Sequence, residues 1–431
     1  METIAGFSKL SKSEKIQWLS RQVENNPDEF LDVTRFWLKN SDEQKVFDEF
    51  SENTITNYYF PYGIAPNFLI NGKIYCIPMV IEESSVVAAA SKSANFWLSR
   101  GGFKAEVIST TKVGQVHFEW FGKKRKLKEY FEAQLPKIWE ALEPLCVNMK
   151  KRGGGVKDVT LVDMTQSLEN YYQIKVTFET CDAMGANFIN TILEEISNIL
   201  KKDIDATQLN VIMSILSNYT PECLARVWVD CPIEDLADPA HQMSAEDFAN
   251  KFLKAVQIAN VDVSRAVTHN KGILNGIDSV VLATGNDFRA VEACAHAYAA
   301  RDGQYRSLTS AKIENNHFVF SLEIPLSLGT VGGLTTLHPL AKLSLNLLQN
   351  PNAEELMLMT ASVGLAQNFA AIRSLITTGI QKGHMRMHLL NILKQMQANR
   401  SEIESAKNYF SDKTVSFTSV RNFLNSMKIT Q

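Results

Sequence analysis

Apolar and polar residues recur along the middle of this chain with two clear periods, and their order predicts a small mixed unit of strands and helices. In "TKVGQVHFEWFG", Val116, Phe118 and Trp120 fall on one face and Gln115, His117 and Glu119 on the other, the period of a half-buried strand. A helical segment follows from Arg125 to about Met149, with bends expected at Pro136 and Pro144. "RGGGVKDVTLVDM" then gives a glycine turn and a strand over Val156–Met164. "YYQIKVTFET" alternates again, with Ile174, Val176 and Phe178 opposite Lys175, Thr177 and Glu179. In "CDAMGANFINTILEEISNILKK", Ile189, Leu193, Ile196 and Leu200 recur at helical spacing, and "LNVIMSILSN" reads as a closing strand.

The resulting β-α-β-β-α-β order, between about Thr110 and Ser217, is the split βαβ of ferredoxin-like units. Such a fold carries no function by itself. Within it, "DAMGAN" (Asp182 to Asn187) joins a strand to a helix through Gly185. Helix starts of this kind hold phosphates well because their free amides point outward, and a plain turn is the simpler reading. The three-glycine spacing of a Rossmann fingerprint is absent.

Outside that unit, "METIAGFSKLSKSEKIQWLS" reads as an amphipathic helix rather than a signal peptide. "VIEESSVVAAASKSANFWLSRGG" predicts a helix capped by Ser84 or Ser85 and stopped at Gly101. Glu82 and Glu83 at its start suit the helix dipole, so a capping role accounts for them on pattern alone. The segment Ser264 to Gly303 packs Arg265, His269, Asn270, Lys271, Asn275, Asp278, Asn286, Asp287 and Arg289 among small apolar residues. Such polar groups pair with one another or meet a ligand when buried; on a surface they make a glycine-punctuated pair of loops. "SLGTVGGLTTLHPLAKLSL" gives a Gly-rich turn before an amphipathic helix, open to an anion or to ordinary turn chemistry. His384 and His388 sit four apart on an expected helix, but no acid completes an HExxH pattern, and no metal is expected.

Composition narrows the classes. The chain has 431 residues, 45% hydrophobic and 21% charged, with a formal net charge of -3, which suits a soluble protein of two or three domains. Near-neutral charge gives no reason to expect nucleic acid as partner, and no apolar run is long enough to span a membrane. The six cysteines are scattered without a CxxC pair, as expected of free thiols in a cytoplasm.

Taken together, the segments "NGKIYCIPMVIEESSVVAAAS", "GGF", "DAMGAN", "ILSN", "THNKGILNGID", "ATGNDFRAVEA", "VGG" with "HPLA", "VGLAQN" and "GIQKGHM" resemble the soluble, bacterial-type (class II) 3-hydroxy-3-methylglutaryl-coenzyme A (HMG-CoA) reductases. They occur in that family's order and span about residues 50 to 390. The resemblance implies a four-electron reduction of HMG-CoA to mevalonate and free CoA by two NAD(P)H. It implies an α+β fold: a large mixed domain built around helices, an inserted ferredoxin-like small domain and a helical C-terminal flap. The corresponding boundaries are 1–109 and 218–376 for the substrate-binding and dimerisation domain, 110–217 for the dinucleotide-binding domain and 377–431 for the mobile flap.

By the same resemblance Glu83, Lys271, Asp287 and His384 are catalytic. Lys271 meets the oxyanion formed by hydride addition, and Asp287 keeps that lysine protonated. His384 protonates the departing CoA thiolate, and Glu83 supplies the proton to the alcohol oxygen. Ser85, Arg265, Asn275 and Asn218 match substrate contacts, with Arg265 suited to the substrate carboxylate. Asp182, Met184, Gly185 and Asn187 match the dinucleotide site.

NADH-preferring relatives place an aspartate that counts back from "GGG" to near Cys146. No acid occurs from Leu145 to Arg152, while Lys150, Lys151 and Arg152 favour a 2′-phosphate and hence NADPH over NADH. Cys146 and Lys150 are the cofactor residues implied there. The family's "ENVIG" appears as "ENTIT" (52–56), and the proline of "EEPS" is Ser84 here, which loosens the helix start. A homodimer or higher homo-oligomer with shared active sites is expected. Mevalonate oxidation in catabolism, and a CoA-ester binding protein without turnover, stay open as alternatives.

Overall fold

The computed structural model describes residues 2–23, 32–202, 204, 207–237, 243–377, 389–410, 413 and 415–429. It is a mixed α/β architecture with three antiparallel sheets. Strands β1 (Tyr62–Ile70) and β2 (Lys73–Val80) form a hairpin. A four-stranded sheet has the order β3 (Lys104–Thr110), β8 (Cys223–Pro232), β10 (His317–Pro325), β9 (Thr309–Glu314). The other four-stranded sheet has the order β5 (Gly155–Asp163), β6 (Tyr171–Glu179), β4 (Lys112–Trp120), β7 (Leu209–Leu216).

This last sheet is the one the alternation predicts. Val116, Phe118, Ile174, Val176 and Phe178 are fully buried against the helices Lys124–Lys150 and Ala186–Lys202. The first helix runs unbroken through Pro136 and Pro144. The second lies close on the sheet: a Cβ at Gly114 would stand 2.6 Å from Leu193 Cδ1, so a larger residue there would force the leucine to shift.

The main core is built around the helix Ala353–Ile376, which is buried over most of its length from Leu356 to Ile372. A helix enclosed on all sides must satisfy its own polar side chains. Thr360 and Ser362 do so by donating to the carbonyls of Leu356 and Leu358, each at 2.7 Å. The segment from Ser264 to Gly303, which pattern alone leaves open as a pair of polar loops, is instead two helices, Val263–Ala283 and Phe288–Ala299. The first packs tightly on the core helix. A Cβ at Gly276 would meet Val363 O at 2.8 Å, and one at Gly364 would meet Ile277 Cγ1 at 2.8 Å. Paired glycines thus bring the two backbones together and fix the helix that carries Lys271.

Candidate active site

Glu83 lies between β2 and the helix Val86–Leu98. The expected serine cap is absent: Ser85 occupies the N-cap position at φ 78° and makes no side-chain capping bond. A left-handed serine is a strained conformation, of the kind held in place at functional sites. It leaves the Ser85 hydroxyl uncommitted to the helix.

The helix Val263–Ala283 supplies the opposing wall. Arg265, Thr268, Lys271 or Gly272, and Asn275 recur at three- to four-residue spacing, so they share one face. Lys271 Nζ donates to Glu83 Oε2 at 2.8 Å, and Asn275 Nδ2 reaches the same oxygen at 3.4 Å. Glu83, Ser85, Arg265, Lys271 and Asn275 line one cavity of about 370 Å³, closed on another side by Gln367, Asn368 and Arg373. Burial pushes the affinity of Arg265 for its proton down, and Asp262 partly restores it.

Behind this face the helix is locked to β9. Asn270 Nδ2 donates to Arg306 O at 2.8 Å and its Oδ1 accepts from Leu308 N at 3.0 Å. His269 Nε2 lies 2.6 Å from Thr309 Oγ1. Burial, then the Arg265 charge, pushes the His269 pKa down to about 3, so the ring is neutral at working pH. His269 and Gln367 line the cavity yet carried no assigned role in the sequence reading; "VGLAQN" was the available signal for the second.

A second cleft, about 360 Å³, lies against the turn 182–187. It is lined by Met184, Gly185, Asn187, Asn286, Asp287, Gly329 and Val331–Thr335. Gly185 has φ 92°, and a Cβ there would stand 2.5 Å from Thr180. A Cβ on Gly329 would stand 2.6 Å from Met184 N, so the two glycines let the loops close on each other. The start of the helix Ala186–Lys202 lines this cleft, and the first amides of a helix suit the pyrophosphate of a dinucleotide. The Asp182 carboxylate faces elsewhere, accepting from Ala353 N at 2.8 Å, while its carbonyl accepts from Thr330 N at 2.8 Å. Asp182 therefore ties the turn to the core helix instead of presenting its carboxylate to a ligand.

Four more of the expected site residues have other neighbours in this chain. Asp287 does not pair with Lys271, whose carboxylate partner is Glu83. Asp287 caps the helix Phe288–Ala299 and binds the Arg289 side chain at 3.1 and 3.2 Å. Burial raises its pKa, but Arg289 and the helix amides outweigh that and hold it below the usual carboxylate range. Cys146 is 2% exposed on the inner face of its helix, so its thiol packs in the small-sheet core. Lys150 pairs with Glu143 on the same helix. Asn218 lines a separate cavity of about 20 Å³ with Lys112, Thr220 and Cys294. His384 and His388 lie outside the described residues. Among the described residues no cluster of three or more metal-ligating side chains occurs, and no helix is long and apolar enough to cross a membrane.

A family-wide sequence pattern described as hydroxymethylglutaryl-coenzyme A reductase matches residues 12–389. The chain belongs to the HMG-CoA reductase family. It is 36% identical over 405 residues to the 3-hydroxy-3-methylglutaryl-coenzyme A reductase of Archaeoglobus fulgidus, covering 93% of this chain and 89% of that protein. A probable reductase of Borreliella burgdorferi is 32% identical over 420 residues, covering 94% and 92%. Among solved structures, the class II HMG-CoA reductase of Streptococcus pneumoniae bound to NADPH in open conformations is similar, with a TM-score of 0.73 and 34% identity over 87% of this chain and 100% of that one. As an HMG-CoA reductase, the protein is an NAD(P)H-dependent oxidoreductase whose reaction converts HMG-CoA to mevalonate.

Proposed function

We propose that the cavity between Glu83 and Lys271 is the catalytic centre for the acyl group, and that the cleft at the 182–187 turn holds the dinucleotide, with NADPH preferred over NADH. The observation that carries this reading is the 2.8 Å Lys271–Glu83 pair at the mouth of a cavity that also holds Arg265, Ser85 and Asn275. Two bound reduced nicotinamides in succession supply the hydrides. Arg265, with Ser85, binds the carboxylate of the acyl chain and orients the thioester toward Lys271. The Lys271 ammonium stabilises the oxyanion at the thioester oxygen. His384, on the C-terminal flap (377–431), gives a proton to the departing CoA sulfur. Glu83, hydrogen-bonded to Lys271, gives the proton to the aldehyde oxygen in the second reduction.

In this reading residues 110–217 are the dinucleotide-binding domain, and 1–109 with 218–376 bind substrate and dimerise. Asp287 lies on the dinucleotide cleft, away from its expected lysine. A homodimer in which Asp287 of one subunit meets the Lys271 wall of its partner reconciles the two. The exposed apolar residues Tyr58, Tyr59, Leu337, Leu340 and Leu343 support a buried face of that kind. NADPH preference rests on Lys150, Lys151 and Arg152, which follow the cleft-lining Met149 in the chain, with no acid from Leu145 to Arg152; Lys150 would exchange its exposed Glu143 partner for the 2′-phosphate. Free thiols at all six cysteines suit a reducing cytoplasm.

The test is oxidation of NADPH and NADH in parallel by purified protein with HMG-CoA, with mevalonate identified as product. Two reduced cofactors consumed per HMG-CoA, with NADPH preferred, is the expected result. Equal or better use of NADH overturns the cofactor inference, and CoA-ester binding without turnover overturns the catalytic one.

A further inference from the structure

Lys112 opens β4, and its side chain runs inward beneath the 180–183 turn; the residue is 3% exposed. Its Nζ donates to Ala183 O at 2.8 Å and to the Thr180 hydroxyl, which itself donates to Ala183 O at 2.6 Å. Two carboxylates lie within electrostatic reach, but each is engaged elsewhere. Glu179 accepts from the Thr110 hydroxyl and from Cys181 N, and Asp182 accepts from Ala353 N. Burying an ammonium without a bonded carboxylate is costly. A turn needs only neutral donors to keep its shape, so the charge itself calls for an explanation.

The cleft on the far side of the turn provides one. Among the described residues that line it, the single ionisable side chain is Asp287, which is anionic. A pyrophosphate seated there would bring two negative charges into a site with no cationic side chain in its wall. Helix amides answer part of that charge.

We infer that the buried Lys112 ammonium supplies the rest, a fixed counter-charge behind the turn that raises affinity for the pyrophosphate of the reduced dinucleotide. It rests on the assignment of the 182–187 turn to the dinucleotide. Lys112 is a positioning residue: it acts through the Thr180–Ala183 turn and touches no reacting atom. The Lys112 ammonium itself is buried, and at the short range of one turn a buried charge is screened less than a surface one. Burial pulls the proton affinity of Lys112 down, while Cys223, Glu179, Cys181 and Asp182 around it pull it up. The charge therefore starts to be lost at a lower pH than that of a surface lysine.

Lys112→Gln and Lys112→Met separate charge from hydrogen bonding, because glutamine keeps a neutral donor and methionine does not. Both variants are expected to raise KM for NADPH and for NADH alike by about tenfold. The Kd for ADP-ribose, which carries the pyrophosphate without the nicotinamide, should rise in parallel, with kcat at saturating cofactor and KM for HMG-CoA within about twofold of native. In the native enzyme, cofactor KM should climb on the alkaline side, and that climb should vanish in the glutamine variant. Native cofactor affinity in Lys112→Gln, or identical pH profiles, overturns the inference, since hydrogen bonding alone would then suffice. A rise in KM for HMG-CoA with cofactor binding untouched would instead overturn the assignment of the turn. If Lys112→Met fails to fold, the glutamine variant and the pH profile still decide.

Discussion

Glu83→Gln removes a carboxyl group while keeping its size, and the structure says how its two consequences divide. The Lys271–Glu83 pair is 2.8 Å long, but the side chains are 60% and 39% exposed. Pairs this open contribute about 0–1 kcal/mol to folding, and the remaining hydrogen bond to Lys271 is available to the glutamine carbonyl. For a protein of this size that is a change in Tm of about 3 °C or less. The chemical effect is of another order. A positioned general acid contributes about 10²–10⁴ in rate, and the amide cannot donate a proton to the aldehyde oxygen. Turnover of HMG-CoA should fall by about that factor, and so should reduction of free mevaldehyde, which isolates the second hydride step. KM for NADPH should hold, because in the proposed arrangement Glu83 meets the reacting oxygen and makes no contact with the pyrophosphate that anchors the dinucleotide. The assays are nicotinamide absorbance with each substrate, beside a thermal melt. A variant that melts many degrees lower while reducing mevaldehyde at the native rate would refute the reasoning, leaving Glu83 as a structural cap.

The helix contact and a buried acid give two more expectations. Gly276→Val would set a Cβ 2.8 Å from Val363 O and press the lysine-bearing helix off the core helix. Overpacking of this kind costs about 1–3 kcal/mol, read as a drop in Tm of about 1–3 °C for a chain of this length, with kcat falling as Lys271 shifts; an unchanged melt would show that the helices are not in contact as described. Asp278 has a buried, unpartnered Oδ1; burial, then the facing Glu292, raises its pKa well above the usual carboxylate range. The folded state then holds a proton that the unfolded chain releases near pH 4, so stability falls as pH rises from there through neutrality. Asp278→Asn should flatten that slope in denaturant titrations at pH 5 and pH 8, and an unaltered slope would sink the account.

The small sheet was legible because each of its strands has one wet face and one dry face, which is what period-two alternation records. The segment after Asp262 was less so. Two of its polar residues turn away from solvent: Asn270 and His269 bond to Leu308 and Thr309, at the start of β9 some forty residues away. Long-range partners of that kind leave no local pattern, so a buried helix reads as a polar loop. The burial of Cys146 was hidden for a related reason. Counting back from the glycines finds its place in the chain, but Leu142, Cys146 and Met149 share the helix's inward face, which counting ignores. Family resemblance brought Glu83, Ser85, Arg265, Lys271 and Asn275 to one cavity. It had no means of showing that a single chain leaves Asp287 on a different one.

The register of the sheets bears on how the chain gets there. Strands β3 and β8 pair with Thr110 opposite Cys223, across more than a hundred intervening residues. Closing a loop that long from an unfolded chain carries an entropic penalty that grows with its length. Here the intervening stretch ties its own ends: β4 and β7 pair with Gly114 opposite Leu216. Once that sheet forms, Thr110 and Cys223 emerge side by side, and the long loop has become a short one. Synthesis on the ribosome would deliver the insert after β3 and before β8, so its collapse can act as a clasp that prepares the seam for the strands still to come.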